Sequence, residues 1–392
     1  MSTRRRRRLA ACVVLGLVLV GCTRPSGVDG DARTAEEAHA PEAGELRIKL
    51  EELVGLHAHL VAEAGRASGR PKDAAGAALA QSAEDVAAAV TEAAGVDGDD
   101  ASALERAWGA YVATVVEPGK GAGERRRSQA RVARKLATQL AAVTSTLEQQ
   151  GVRRLLSEPL DKLGRHADAF AKRDHDEAYE LEREAYADMV TLGGAVAAGI
   201  IEGDRDRYPG PRSTGAIELH SALRQLFGEH ALLTATTTRR GVVAARDFPA
   251  AAAALNGNTA DLSKAVESIY DDASAFTAQW RDRIRLFAEH AAALGDGRKE
   301  DANRARGRIV RVSGRLAAML ERVSDGGIAG DDSTRVLRQL DRALLAHTED
   351  FAAKRFDDAE RAKQRAYGSA GILAEVIAAA VAQQQPDAYP SR

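Results

Sequence analysis

Residues 163–186 read LGRHADAFAKRDHDEAYELEREAY, and residues 344–367 read LLAHTEDFAAKRFDDAERAKQRAY. Leu163, His166, Phe170, Ala178, Ala185 and Tyr186 of the first stretch fall on Leu344, His347, Phe351, Ala359, Ala366 and Tyr367 of the second at one constant offset. Leu163, His166 and Phe170 step by three and four residues, the spacing of one face of an amphipathic helix, where a strand would alternate. The correspondence continues upstream. Leu46, Leu50, Leu53, Gly55 and His57 match Leu219, Leu223, Leu226, Gly228 and His230; Leu79, Asp85, Val86 and Val90 match Leu255, Asp261, Leu262 and Val266; Trp108 matches Trp280. This is a duplicated helical unit of about 160 residues, far longer than the roughly 20 to 50 residues of a solenoid repeat, so two bead-like bundles are expected.

Aromatic residues are only 4% of the 392-residue chain and alanine is abundant, which leaves little of the material that sheets need. The predicted fold class is therefore all-α: two tandem, four-helix-bundle-like units of five to six helices each. The breaks set the boundaries. Residues 22–44 are rich in Gly, Pro, Ala and acids without periodicity and read as a flexible tether. The stretch GDRDRYPGPRSTG, at 203–215, carries two prolines that a helix interior would not tolerate. The bundles are thus expected at 45–203 and 216–383, with a linker at 204–215 and a tail at 384–392. Asp73, Asp100, Ser157, Asp247 and Asp331 mark expected helix starts, and Gly95, Gly151, Gly295 and Gly326 expected ends. Trp108 and Trp280 read as core anchors.

At the N-terminus, Arg4 to Arg8 precede the apolar run Leu9 to Val20, which ends in Leu19-Val20-Gly21-Cys22. From Leu9 to Gly21 a helix would reach only about 20 Å, short of a bilayer core of about 30 Å, so residues 1–21 read as an export signal. The last four residues resemble the lipobox of bacterial lipoproteins. That resemblance implies diacylglycerol on the Cys22 thiol, cleavage before it, and a lipid-anchored protein on the extracytoplasmic face of the cell membrane. The alternative is an ordinary secretory signal with an incidental cysteine. The only other cysteine, Cys12, lies within the signal, so the exported fold would have neither a disulfide nor a cysteine metal site. The formal net charge is -2, and the signal carries five of the arginines, so the remainder is acidic and has no footprint for nucleic acid. The cluster Arg125-Arg126-Arg127, Arg131, Arg134 and Lys135 reads as a solvated helix face.

No strand-linked phosphate loop, Gly-x-Ser-x-Gly turn or His-Glu-x-x-His occurs, nor a Glu-x-x-His pair of the kind that builds a di-iron site inside a four-helix bundle. The constellation that rises above background is histidine. His57 with His166, and His230 with His347, recur in the two copies on apolar stripes, which is how a metal site in a bundle core begins. Asp188 or Met189 could supply a third donor in the first copy, whereas Ser369 and Ala370 at the same places in the second could not replace them well. The other reading is buried histidines satisfied by one another or by backbone carbonyls. His59, His175, His220 and His290 lack counterparts and are expected at the surface. The sequence thus supports a non-enzymatic binding or interaction module with a protein or small-ligand partner and no cofactor; the alternative is a metal-handling protein, for copper or another transition metal.

The copies also resemble a group of uncharacterised, secreted, all-helical bacterial lipoprotein domains, some carrying copper-related names. Their pattern is a Leu-rich first helix ending in Glu-His, a Trp or Phe followed three residues later by His, a late helical His, and Tyr-x-His-Met. Gly228-Glu229-His230, Leu56-His57, His166 and His347 fit it. Tyr111 and Arg283, three residues after the tryptophans, depart from it, as do Asp188 and Ser369, two after the tyrosines. The resemblance implies a bundle whose metal site is eroded in this chain.

Overall fold

A computed structural model describes residues 42–116, 122–144, 146–270 and 274–391, and all regular structure among them is helical. The signal, Cys22 and most of the tether lie outside these residues. The helices are α1 (Ala43–Arg66), α2 (Arg70–Ala94), α3 (Gly98–Val116), α4 (Ala122–Thr144), α5 (Gln149–Lys172), α6 (His175–Gly203), α7 (Gly215–Val242), α8 (Phe248–Glu267), α9 (Ser274–Gly295), α10 (Lys299–Val323), α11 (Gly330–Ala352) and α12 (Phe356–Gln384). Helix α1 therefore begins inside the stretch expected to be tether.

Local chemistry sets most of the ends. Pro71 opens α2 and Gly95 closes it at φ 66°, in the left-handed region that glycine enters without strain. Asp174 and Thr214 cap α6 and α7 by accepting the amides of Glu177 and Ile217, both at 3.3 Å. Gly151 and Ser157 do not end or start a helix. Both lie inside α5, which runs on through them because Val152, Leu156, Leu160 and Leu163 form one buried stripe, and Ser157 Oγ bonds back to Arg153 O at 2.7 Å. Arg173, at φ 67°, and Lys354, at φ 61°, make the same turn after α5 and after α11.

The apolar side chains gather in two large clusters, one built from α1 to α6 with Trp108 inside, the other from α7 to α12 with Trp280 inside. Both tryptophans are 0% exposed. In the first group α1 packs along α6, in the second α7 along α12, and α1 also meets α7 while α6 meets α8 and α12 meets α2. Residues 40–392 form one compact unit. The 204–215 segment is fastened to it: the Tyr208 hydroxyl donates to Ala93 O at 2.8 Å, and the Ala43 amide donates to Pro209 O at 3.1 Å. Smaller apolar clusters fill the seam between the halves, with Tyr186, Val190, Leu232 and Tyr367 in one and Tyr179, Ala250 and Ala251 in another. Helices α6 and α12 are long and apolar enough to cross a membrane, but more than half of each apolar window is buried inside this unit, as befits central helices.

Close packing of α1 on α6 depends on Gly193. A Cβ there would lie 2.5 Å from Leu50 O and 2.8 Å from Glu51 Cα, both backbone atoms that cannot rotate away. Gly193→Ala should cost about 1 to 3 kcal/mol, the usual range for overpacking, despite alanine's better helix propensity. Thermal melting of the two proteins checks this, and an unchanged midpoint would show that α1 and α6 can slide apart freely.

Candidate functional site

The recurring histidines have partners of two kinds. His57 Nε2 accepts from Trp108 Nε1 at 3.2 Å, and since an indole nitrogen can only donate, the ring proton must sit on Nδ1, facing Ser82 Oγ at 3.2 Å. The second copy repeats the device. Trp280 Nε1 donates to His230 Nε2 at 3.0 Å, and Nδ1 faces Asn258 Oδ1 at 2.9 Å. Asn258 is oriented by its own amide, which donates to Leu226 O and Glu229 Oε2. His166 Nδ1 lies 2.8 Å from Ala178 O, and His347 Nδ1 lies 2.9 Å from Ala359 O. His347 Nε2 faces Ala235 O at 3.1 Å, and the His166 ring has the backbone of Ala62, the counterpart of Ala235, beside it.

Burial pushes the His57 and His230 rings down to about 3, so both are neutral. Each already uses both ring nitrogens, and no hydrogen bond joins it to the late histidine of its copy. Asp188, weighed as a third donor, pairs with Lys162 at 2.7 Å, and Met189 is buried beside the Tyr111 hydroxyl. Among the described residues, no three His, Cys, Asp or Glu side chains gather as a metal-ion cluster. Arg283, where the resembled pattern has histidine, is 0% exposed and donates through Nε and Nη2 to Asp341.

His59 and His290, expected at the surface, are buried. His59 belongs to a buried charge cluster on the seam. Its Nδ1 lies 2.9 Å from Glu182 Oε1, which also receives Arg66 Nη2 at 3.1 Å. Glu63 accepts from both Arg239 and Lys363, and Lys363 also pairs with Glu360. Burial alone would raise the Glu182 carboxyl, but Arg66 and His59 outweigh it and hold it well below the usual range. Burial lowers Lys363 to about 8 against the pull of Glu360. This cluster joins α1 and α6 to α7 and α12. Nearby, the Tyr186 and Tyr367 hydroxyls meet at 3.2 Å; Tyr186 donates to Gln225 O and Tyr367 to Glu52 O. Gln225 holds in α7 the place of Glu52 in α1, so one bond is made twice across the seam.

Beside this tyrosine pair the seam opens into a cleft of about 600 Å³. One wall is the small-residue face of α6, with Gly194, Ala195 and Ala198; the others are Arg47 and Glu51 of α1, Glu218 and Ser221 of α7, and Arg212. Arg47 donates to Glu51 at 2.7 Å and to Glu218 at 2.9 Å, and Ser221 donates to the other oxygen of Glu51 at 2.6 Å. The Arg47 and Ser213 hydrogen bonds hold Glu218 down at about 2, and the same pairing raises Arg47 above the usual arginine range. A Cβ at Gly194 would come 2.7 Å from Glu51 Oε1, so a larger residue there would make the Glu51 side chain shift. None of these residues stands out in the sequence, since each copy contributes only part of the wall. A weak signal was present in the Gly193-Gly194 pair within a helical run.

Compared with family models, with curated proteins and with solved structures, the chain matches none.

Proposed function

We propose that this chain is an extracytoplasmic lipoprotein, anchored to the cell membrane through Cys22, that binds a small ligand non-enzymatically in the cleft between two tandem copies of one helical bundle, residues 45–203 and 216–383. The cleft carries this reading. Its volume falls within the roughly 300 to 1,000 Å³ of small-molecule sites, and it opens between packed helices, α1 and α6 on one side and α7 on the other, a common place for such sites. Arg47 is paired with Glu51 and Glu218 while the Arg212 side chain is in no ion pair among the described residues, and Glu218 is held down to about 2, so the groups are set for recognition by charge and not for proton transfer near neutrality. Arginines and carboxylates side by side suit a small zwitterion whose two charges meet complementary partners. The lipobox resemblance supports the anchor, because two acyl chains suffice for stable attachment where one is marginal.

Two measurements test it. Protein purified from the native host and examined by native mass spectrometry should carry a small co-purifying molecule, and Ala198→Trp, which fills the cleft, should abolish it. Equal ligand content in both proteins would sink the cleft as the binding site. For the anchor, Cys22→Ala should leave the membrane fraction, and continued membrane partition with wild-type mass would refute lipidation.

A further inference from the structure

The repeat makes visible a second site, on the outer face of α11 and α12. In the first copy the corresponding surface of α5 and α6 is closed by ion pairs: Lys162 reaches both Asp188, at 2.7 Å, and Glu184, at 3.4 Å. In the register of the duplication, Ala343 stands for Lys162, Ser369 for Asp188, Arg365 for Glu184 and Arg342 for Asp161. The bridging cation is gone and two carboxylates have become arginines. What remains between α11 and α12 is a groove of about 600 Å³ lined by Arg342, Arg365, Ala343, Ala346, Gly368 and Ile372.

Among the described residues no carboxylate pairs with Arg342 or Arg365; Arg342 Nε donates only to the backbone oxygen of Arg338, at 3.1 Å. Ile372 at the groove is 41% exposed, one of three large apolar side chains so placed among the described residues. Two unpaired guanidinium groups beside a small-residue floor and an exposed isoleucine make an amphiphilic surface of positive sign. Guanidinium forks match the oxygens of a phosphate in bidentate fashion.

We infer that this groove binds a phosphate ester with a short apolar part, the phosphate between Arg342 and Arg365 and the apolar part along Ala343, Ala346 and Ile372. The phosphate can belong to an anionic lipid headgroup or to a soluble phosphate, and the test separates the two. Isothermal titration calorimetry on the full chain would use dihexanoylphosphatidylglycerol below its micelle concentration, dihexanoylphosphatidylcholine, and inorganic phosphate. Two variants accompany the wild type: Arg342→Gln with Arg365→Gln, which removes the charges, and Gly368→Leu, which fills the groove. A Cβ at Gly368 meets nothing within 4 Å, so that variant should fold, and a circular dichroism melt verifies it.

The expected result is phosphatidylglycerol binding that weakens about tenfold or more in both variants, with phosphatidylcholine much weaker. Inorganic phosphate binding as tightly as phosphatidylglycerol, with the same loss in the variants, supports the site and assigns it to soluble phosphate. Equal affinity for phosphatidylcholine and phosphatidylglycerol, binding unchanged in both variants, or no binding of any probe overturns the inference.

Discussion

The free energy of unfolding should fall by at least about 4 kcal/mol between pH 7 and pH 5, before the carboxylates protonate. Burial also pushes down His59, His166, His220, His290 and His347, which add to the fall, but about that much comes from the His57 and His230 pair alone. In the folded chain both rings sit near pKa 3, because they are buried and because each Nε2 receives an indole N–H, so a proton added there would set two donors face to face. In the unfolded chain both return to about 6.5. From this pair alone the unfolded state binds two protons below that value that the folded state refuses, and stability declines as pH falls toward 3. Each ring contributes up to about 1.4 kcal/mol per pH unit. Urea unfolding followed by circular dichroism at half-unit pH steps reads the slope. His230→Leu should lower stability at every pH, since it orphans the Trp280 indole, yet it should also make that slope shallower by up to about 1.4 kcal/mol per pH unit. Level stability from pH 7 to pH 5 would mean that neither ring is buried and neutral.

Glu63→Gln should cost about 3 to 5 kcal/mol, the usual penalty for breaking a buried ion pair from one side. Glu63 is 1% exposed and answers two buried cations, Arg239 and Lys363, from the opposite half. Glutamine keeps the volume and removes the charge, leaving both cations to Glu360, which lies 3.9 Å from Arg239. The control is Glu84→Gln on the exposed face of α2, where a change within about 0.5 kcal/mol is expected. Chemical denaturation of the three proteins decides it. A loss at Glu63 no larger than at Glu84 would mean that water reaches the cluster and screens it.

The histidines show how far the sequence can be read. Their recurrence and helical phase put His57, His166, His230 and His347 on apolar stripes, and all four are buried. The partners of His57 and His230 were not legible, because the Trp108 and Trp280 indoles approach from α3 and α9, about fifty residues away. His59 was misplaced for a related reason. The stripe Leu46, Leu50, Leu53, His57 defines one buried face of α1, and His59 lies off it, so a helix in an isolated bundle would expose it. Yet Leu60, Val61, Ala62, Glu63 and Ala64 are buried in succession, as are residues 228–239 of α7. A helix is buried all round only when something covers its second face, and here the covering surface is the other half.

What the sequence determined by itself was local and periodic: helices throughout, their approximate ends, a repeat that places Trp108 with Trp280, and the residues that face the cores. These follow from a 3.6-residue period and from side-chain volume, which act within a few turns of chain. Only the tertiary structure decided the seam, the charge cluster that holds it and the cleft that opens in it. Arg47 reaches Glu218, Glu63 reaches Arg239 and Lys363, and Tyr186 reaches Tyr367, all across separations that no periodicity encodes. In sequence an ionisable residue off the apolar stripe looks solvated. It becomes a buried partner when two helices bring opposite charges together in a space from which water is excluded, and that depends on how the halves pack.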